Sequence, residues 1–274
     1  MLNNNRPFRN AGVAFAAWLL ASHASAASPV RIGVSDRVYE DLAEQIGGRA
    51  VSVSLYQHPV SALPALDIVI CDCSRRDSWL AEARHGTQAL VIKASDETAN
   101  LEPPWYDVQG MAHLTKTLAA ELTRHAPAEA QYIATNTARA MTGFSALDRR
   151  IEEVAKDYAN SDVLLADELF RGLIGRLQFK IRDEHYLKSL KPGTQPSPQS
   201  IVTLRDAIQR RSGSIFLYDK DAAGPALQEI VSLANDGGIP VVALHEHPPK
   251  GLHYQQWMLR QINAVHGALN EASP

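Results

Sequence analysis

The hydrophobic pattern of this 274-residue chain has a long amphipathic run near its middle, with shorter apolar runs on either side. Apolar side chains recur at steps of three and four from Ile133 to Tyr158, and Pro127 stands where a first-turn proline is tolerated. This spacing predicts one helix of about 30 residues and about 45 Å. Gly143 leaves two shorter helices as an alternative, since a glycine inside a helix costs about 1 kcal/mol.

Short apolar runs on both sides of this helix predict two sheets. Strands are expected at 30–34, 51–55, 68–71 and 89–92, and again at 163–166, 179–181, 215–218 and 240–244, with helices between them at 38–46, 79–83, 169–177, 201–211 and 223–235. This alternation is typical of parallel sheets covered by helices. The predicted fold class is therefore α/β, with two lobes, each a four-stranded mainly parallel sheet covered by helices, joined by one long rigid helix.

The first 26 residues differ in character from the rest of the chain. Arg6 and Arg9 precede an uncharged apolar run at 11–21, and small residues follow at 24–26. This order predicts a secretory signal peptide cleaved after Ala26, with an uncleaved membrane anchor as the alternative. No cysteine follows the run closely, so we expect a periplasmic protein that is not lipid-anchored. The predicted organisation is a signal peptide at 1–26, an N-terminal lobe at 27–127, the linking helix at 128–158 and a C-terminal lobe at 159–274.

The net charge argues against one class of partner. Removal of residues 1–26 takes away two arginines and no acidic residues, which leaves 25 basic against 30 acidic residues. Such mild acidity predicts no nucleic-acid partner.

Metal-capable side chains follow several of the predicted strands. Ligands of open α/β sheets bind beyond the carboxyl ends of the strands, and two facing sheets would place these loops on opposite walls of one cleft. The loops contain His58, Cys71, Cys73, Glu102, Asp167, Glu168, His245, Glu246 and His247. Imidazole nitrogens and carboxylate oxygens suit Zn, Mn or Fe(II), so a divalent-cation site is expected here.

Each candidate also has a second interpretation. His58 can be a loop histidine without a partner, Asp167 the N-cap of the helix that follows it, and 245–247 an ordinary surface loop. Cys71 and Cys73 are so close in sequence that we expect no disulfide between them. They are interpreted as small, partly buried residues at a strand end, with Cu(I) or Zn binding by thiolates as the alternative.

The sequence contains no His-Glu-x-x-His, Gly-x-Ser-x-Gly or phosphate-loop motif. We therefore predict a protein that is not an enzyme. Glu246, beside two histidines, is the local candidate for a general base if the chain is instead a metal-dependent periplasmic enzyme.

Several segments resemble the periplasmic solute-binding proteins of zinc, manganese and iron ABC importers. The resemblance runs from Val30 to Leu269 and is carried by DLAEQIGGRAVSV at 41–53, Trp-Tyr-Asp at 105–107, Gln-Pro-Ser-Pro at 195–198 and the strand, helix, Gly-Gly and strand of 215–244. It implies two α/β lobes joined by a rigid helix, and a metal held by side chains from both lobes.

The resemblance also implies a ligand set. His58 matches the family's first histidine, after the second strand, and Asp167 matches its third ligand, three residues before Phe170. Pro103 stands where the family has its second histidine, so Glu102 is the nearest replacement, and His245 stands where the family has an aspartate. A carboxylate at the third position is associated with manganese or iron, and a histidine with zinc.

We therefore expect a monomer that captures Zn, Mn or Fe and delivers it to an ABC permease in the inner membrane. The expected ligands are His58, Asp167 and His245, with Glu102 or His247 completing the shell. A relative that binds another small solute or a partner protein is the alternative.

Overall fold

The computed structural model describes residues 1, 28–57, 63–72, 80, 88–95, 103–189, 197–221 and 224–272. All of the predicted signal peptide except Met1, and all of the predicted helix at 79–83 except Leu80, lie outside these ranges. Among the helices described, none combines the length and the apolar character needed to cross a bilayer.

The N-terminal lobe contains one parallel sheet, as predicted. Its strands are β1 (Val30–Val34), β2 (Val51–Leu55), β3 (Ile68–Cys71) and β4 (Leu90–Lys93), in the order β2-β1-β3-β4. Helix α1 (Arg37–Gly47) follows β1, and its apolar face is buried against the lobe's core. Asp36 caps α1 by accepting a hydrogen bond from the backbone N–H of Val38 at 2.8 Å, so the carboxyl end of β1 and the start of α1 meet at one residue.

Two consecutive helices connect the lobes. Helix α2 (Val108–His125) ends before a short 3₁₀ turn at Pro127–Glu129, and α3 (Ala130–Tyr158) then runs for 29 residues without a break. The prediction of one long helix is confirmed, and Gly143 lies inside it. A side chain at Gly143 would crowd Gln255, at 3.1 Å from a built Cβ to Cγ, so this glycine permits close helix packing.

The C-terminal lobe repeats the plan. Its strands are β5 (Asp162–Leu165), β6 (Lys180–Ile181), β7 (Ile215–Asp219) and β8 (Val241–Leu244), all parallel in the order β6-β5-β7-β8. The helices are α4 (Arg171–Arg176), α5 (Glu184–Ser189), α6 (Pro198–Gln209), α7 (Pro225–Asp236) and α8 (Tyr254–Ala272). The predicted helix at 169–177 is a 3₁₀ turn at Glu168–Phe170 followed by α4.

The lobes share one hydrophobic core. Buried side chains from both sheets and from the connecting helices form a single cluster, to which α3 contributes Ile133, Phe144, Leu147, Ile151 and Val154. Helix α3 packs against α1 and α2 on one side and against α8 of the other lobe. Two α/β lobes joined by one long rigid helix are therefore the architecture of this chain, and burial of the α3 stripe is what holds them together.

Candidate metal site

The carboxyl ends of strands from both lobes border one cavity of about 420 Å³. The N-terminal lobe contributes Arg37 and Gln57, and the C-terminal lobe contributes Asp221, His245, His247 and Lys250, with two prolines between these histidines and the lysine. This is the edge at which parallel sheets place their ligand sites. Two of the predicted ligands, His245 and His247, thus line a cleft shared by the lobes.

His245 is fixed in place through both its backbone and its ring. It follows β8, where its N–H donates to Gln261 at 2.7 Å and its carbonyl accepts from the Tyr106 hydroxyl at 2.9 Å. Its ring Nδ1 lies 3.0 Å from Oδ2 of Asp221. Since a carboxylate partner holds the proton on Nδ1, this contact leaves Nε2 as the nitrogen with a lone pair, the arrangement typical of a metal-ligating histidine.

His247 instead connects the two lobes. Its Nε2 lies 2.9 Å from Oδ2 of Asp36, the carboxylate that also caps α1, and its ring packs on Trp105 with centroids 5.4 Å apart. Burial alone would lower the pKa of His247, but the hydrogen bond and charge of Asp36, with the charge of Glu246, outweigh it and raise that pKa. Nδ1 of His247 lies 3.9 Å from Oε2 of Glu246, beyond hydrogen-bonding distance, and is therefore the ring nitrogen left for a ligand.

Asp167 starts the 3₁₀ turn that follows β5. Its carboxylate accepts a hydrogen bond from the N–H of Leu169 at 2.9 Å, so the N-cap interpretation of this residue is correct. A carboxylate has lone pairs for more than one partner, so capping and metal ligation are compatible. Asp167 does not line the cavity beside His245, but its charge acts on the buried carboxyl of Asp219 at the end of the neighbouring strand β7.

Asp219 is the centre of an acidic group at this edge. It is 4% exposed and accepts a hydrogen bond from the N–H of Asp221 at 3.0 Å. Burial raises the pKa of Asp219, and the charges of Glu246, Asp221 and Asp167 raise it further. The carboxylates thus concentrate negative potential where a cation would arrive.

Asp36, Asp219 and Asp221 were not among the predicted site residues. A sequence signal for them exists, because Asp36 comes two residues after the apolar strand β1 and Asp-x-Asp at 219–221 follows directly on the apolar residues of β7. Acidic residues are common after strands, so this signal does not separate helix caps from ligands.

Other predicted residues do not join this group. His58, Glu102 and Cys73 lie outside the described residues. Within the described part of the chain, no three His, Cys, Asp or Glu side chains are arranged to hold a metal ion. The expectation of unpaired cysteines is corrected, since Cys71 is disulfide-bonded, and Cys73 is the chain's only other cysteine. A disulfide sulfur is not a thiolate, so Cys71 cannot bind Cu(I) or Zn as one in this state.

Known proteins share this fold. The solute-binding protein FpvC from Pseudomonas aeruginosa, in complex with Mn²⁺, superposes with a TM-score of 0.69 at 16% identity, over 89% of this chain and 100% of that one. The periplasmic zinc-binding protein TroA from Treponema pallidum gives 0.70 at 12% identity, over 88% and 99%. The laminin-binding protein Lmb of Streptococcus agalactiae gives 0.69 at 14% identity, over 88% and 99%. A search of curated proteins by sequence returns no match.

The two-lobed architecture with a cleft at the strand ends is thus the fold that these binding proteins share. A family model supplies the more specific assignment, because the zinc-uptake complex component A, periplasmic (ZnuA), matches residues 81–268. The chain belongs to this family, and it is a periplasmic metal-binding component of an ABC importer. The resemblance predicted from the residues at 41–53, 105–107, 195–198 and 215–244 is confirmed at the level of the family.

Proposed function

We propose that this protein captures a divalent transition metal, Zn, Mn or Fe, between its lobes and delivers it to a permease in the inner membrane. The observation that carries the proposal is the contact between His245 and Asp221, which orients one imidazole nitrogen for ligation at the interlobe cleft. The buried and exposed carboxylates around Asp219 add a potential that attracts cations.

In this proposal His245 and Asp167 are ligands from the C-terminal lobe, and His58 and Glu102 are ligands from the N-terminal lobe. His247 completes the shell through Nδ1, while its Nε2 stays with Asp36. Ligands from separate lobes couple capture to closure, and a connecting helix as long as α3 favours a small tilt over a wide hinge.

The remaining parts of the proposal concern form and location. The chain is exported, loses residues 1–26 as a signal peptide that leaves no lipid anchor, and acts as a monomer. Its working parts are an N-terminal lobe at 27–127, the linking helix at 128–158 and a C-terminal lobe at 159–274.

The protein also performs no chemical step in this proposal. Glu246, the candidate general base, is not among the residues that line the cavity beside His245 and His247. Glu246→Gln should therefore still bind metal, weakened only by the loss of one charge from the acidic group around Asp219, and neither protein should turn over an ester or phosphate probe with metal present. Metal-dependent turnover lost in Glu246→Gln would establish an enzyme instead.

Metal titration of the mature chain tests the proposal. We expect a Kd tighter than about 10 μM for at least one of Zn²⁺, Mn²⁺ and Fe²⁺, equivalent to about 7 kcal/mol. His245→Gln and Asp167→Asn should each weaken binding at least tenfold. His113→Gln, an exposed histidine on α2, is the matched control and should bind as the parent does.

The pH dependence of the same titration supplies a second readout. Imidazole must be neutral to ligate, so affinity should fall as the pH drops and the ligating histidines gain protons, and the raised pKa of His247 starts this loss at a higher pH than an ordinary histidine would. Failure of the parent to bind any of the three metals at pH 7.5 contradicts the proposal and leaves the alternative of another small solute or a partner protein.

A further inference from the structure

The interlobe cavity is larger than a bare metal ion needs. Its volume of about 420 Å³ lies within the range of about 300–1,000 Å³ that is usual for small-molecule pockets. A metal held only by protein donors sits about 2.0–2.3 Å from each of them, which leaves no such space. The size of the cavity therefore points to a cargo of several non-hydrogen atoms.

Among the residues that the structure describes, few side-chain atoms at this cavity can bind a metal. His245 offers Nε2, and His247 keeps only Nδ1 because Asp36 engages its other nitrogen. Among the described residues no group of three ligand side chains surrounds one point. Zinc takes about four ligands and the other candidate metals as many or more, so these two histidines need further donors, which come from Asp167, His58 and Glu102 or from atoms that arrive with the metal.

Two cationic side chains border the cavity from opposite lobes. Arg37 comes from the first turn of α1 and Lys250 from the loop before α8, and both are exposed. Neither forms a hydrogen bond or an ion pair with any residue that the structure describes. Arg31, Arg49 and Arg171, in contrast, are all paired with carboxylates.

Helix stability explains the position of Arg37 only in part, because its charge favours the ionised form of Glu40 one turn further along α1. A cation in the first turn opposes the helix dipole, which favours negative charge there. The Arg37 guanidinium lies at the amino end of α1, beside the Asp36 carboxylate that caps this helix, and Lys250 adds a second point of positive charge from the other lobe. Guanidinium matches a carboxylate in a paired hydrogen-bonding geometry, and an ammonium group binds one as a point charge.

Building on the proposed metal capture, we propose that the cavity takes the metal together with a small polycarboxylate chelator of the citrate class. The metal would bind His245, and carboxylates of the chelator would bind Arg37 and Lys250. Both charges of the complex then have a partner, since the metal lies near the acidic group around Asp219 and the chelator lies near the two cations.

Equilibrium dialysis of the mature protein with radiolabelled Zn²⁺ and citrate tests this proposal. The two possible modes of binding change the amount of retained zinc in opposite directions when citrate is added. If the protein takes the complex, citrate should be retained at about one per zinc, and zinc retention should rise when citrate is added. If citrate acts only as a competing chelator, it should strip zinc from the protein and not be retained itself, which would overturn the inference.

The failures of the two proposals are distinguishable. Zinc bound alone and released by citrate leaves metal capture intact and removes the chelator. If the protein retains zinc neither alone nor with citrate, both proposals are wrong. Retention of phosphate in the place of citrate, at one per zinc, overturns the carboxylate assignment, and acetate is the control that lacks a chelating second group.

Substitutions locate the anion. Arg37→Gln and Lys250→Gln should each lower the ratio of retained citrate to zinc at least tenfold. Arg149→Gln and Lys156→Gln are the matched controls, since both side chains are exposed on α3 and neither lines the cavity. A ratio unchanged in both cavity variants contradicts the assigned position even if citrate is retained.

Discussion

Nδ1 of His245 lies 3.0 Å from Oδ2 of Asp221, across the ends of the adjacent strands β7 and β8. The two residues are 24 positions apart in sequence and meet because the strands are parallel neighbours. The pair gives one imidazole of the cleft a fixed orientation and a defined tautomer.

Asp221→Ala should weaken metal binding without unfolding the protein. Loss of such a carboxylate partner typically costs a histidine ligand about 10-fold to 100-fold in metal affinity. Asp221 is exposed, so the melting temperature of the metal-free protein should change little. Competition with a fluorescent chelator measures the affinity, and Asp157→Ala, at an exposed position of α3, is the control. An unchanged affinity for Asp221→Ala would show that the pair has no part in binding.

Asp41→Ala should loosen the attachment of α8 to the N-terminal lobe. The Asp41 carboxylate accepts a hydrogen bond from the N–H of Tyr254 at 2.7 Å and contacts Nδ1 of His253 at 2.7 Å, so a residue of α1 caps a helix of the other lobe. Loss of a cap costs about 1–2 kcal/mol, and a protein of this size loses about 2–4 °C in melting temperature per kcal/mol. Thermal unfolding measures the change.

The matched control for Asp41→Ala is Glu152→Ala, which removes an exposed carboxylate from α3. A melting temperature equal to that of the control would mean that the cap between lobes contributes nothing measurable.

Asp183 should make the protein less stable as the pH rises. Its carboxyl is 3% exposed, and burial raises its pKa to about 7, against the opposing effect of a hydrogen bond from the N–H of Leu165. The folded protein therefore holds a proton that the unfolded chain, with an ordinary carboxyl pKa of about 4, releases. The stabilisation is complete below about pH 4 and is lost as the pH rises towards 7.

Asp183→Asn removes this titration. Relative to the parent, its free energy of unfolding should increase between pH 5 and pH 8, by about 1–3 kcal/mol on the scale of 1.36 kcal/mol per pKa unit. Urea denaturation at several pH values gives the difference. If the free energies of unfolding of parent and variant change in parallel with pH over that range, Asp183 does not titrate there. Asp206→Asn, on the surface of α6, is the control for general charge effects.

Gly48→Ala should destabilise the join between α1 and α3. Gly48 has a φ of 46°, and an added Cβ would overlap the hydroxyl group of Tyr132 on α3. The left-handed backbone and the overlap together should lower the free energy of unfolding by about 1–3 kcal/mol.

Gly267→Ala is the opposing control for Gly48→Ala. Gly267 is inside α8, and a Cβ there would meet no atom within 4 Å. Replacing a helical glycine with alanine should increase the free energy of unfolding by about 0.5–1 kcal/mol. Denaturation curves of both variants measure these changes, and a Gly48→Ala protein as stable as Gly267→Ala would refute the steric argument.

The long helix shows why much of the fold was predictable. The periodic apolar positions from Ile133 to Tyr158 define α3 locally, and with Pro127 as the mark of its start the predicted ends fall within two residues of the observed ones. The helix α5, in contrast, was missed. Its six residues make fewer than two turns, too short for a helical period to stand out from its surroundings.

The candidate site was predictable in part. Facing loops and the residues His245 and His247 follow from the rule that parallel strands end at one edge. The roles of the two histidines do not follow from it. His247 contacts Asp36, which is 211 positions away in the sequence, and nothing near His247 in the sequence indicates that partner.

The sequence by itself determined most of the elements, the α/β class, the two lobes and the linking helix, because helix and strand periods are local properties of consecutive residues. Only the tertiary structure decided that Asp221 orients His245, that Asp36 engages His247 and that Arg37 and Lys250 face one cavity. Those contacts depend on the order of strands within each sheet and on the docking of two lobes around α3. Both are set by the burial of apolar surface over the whole chain, which no short stretch of sequence encodes.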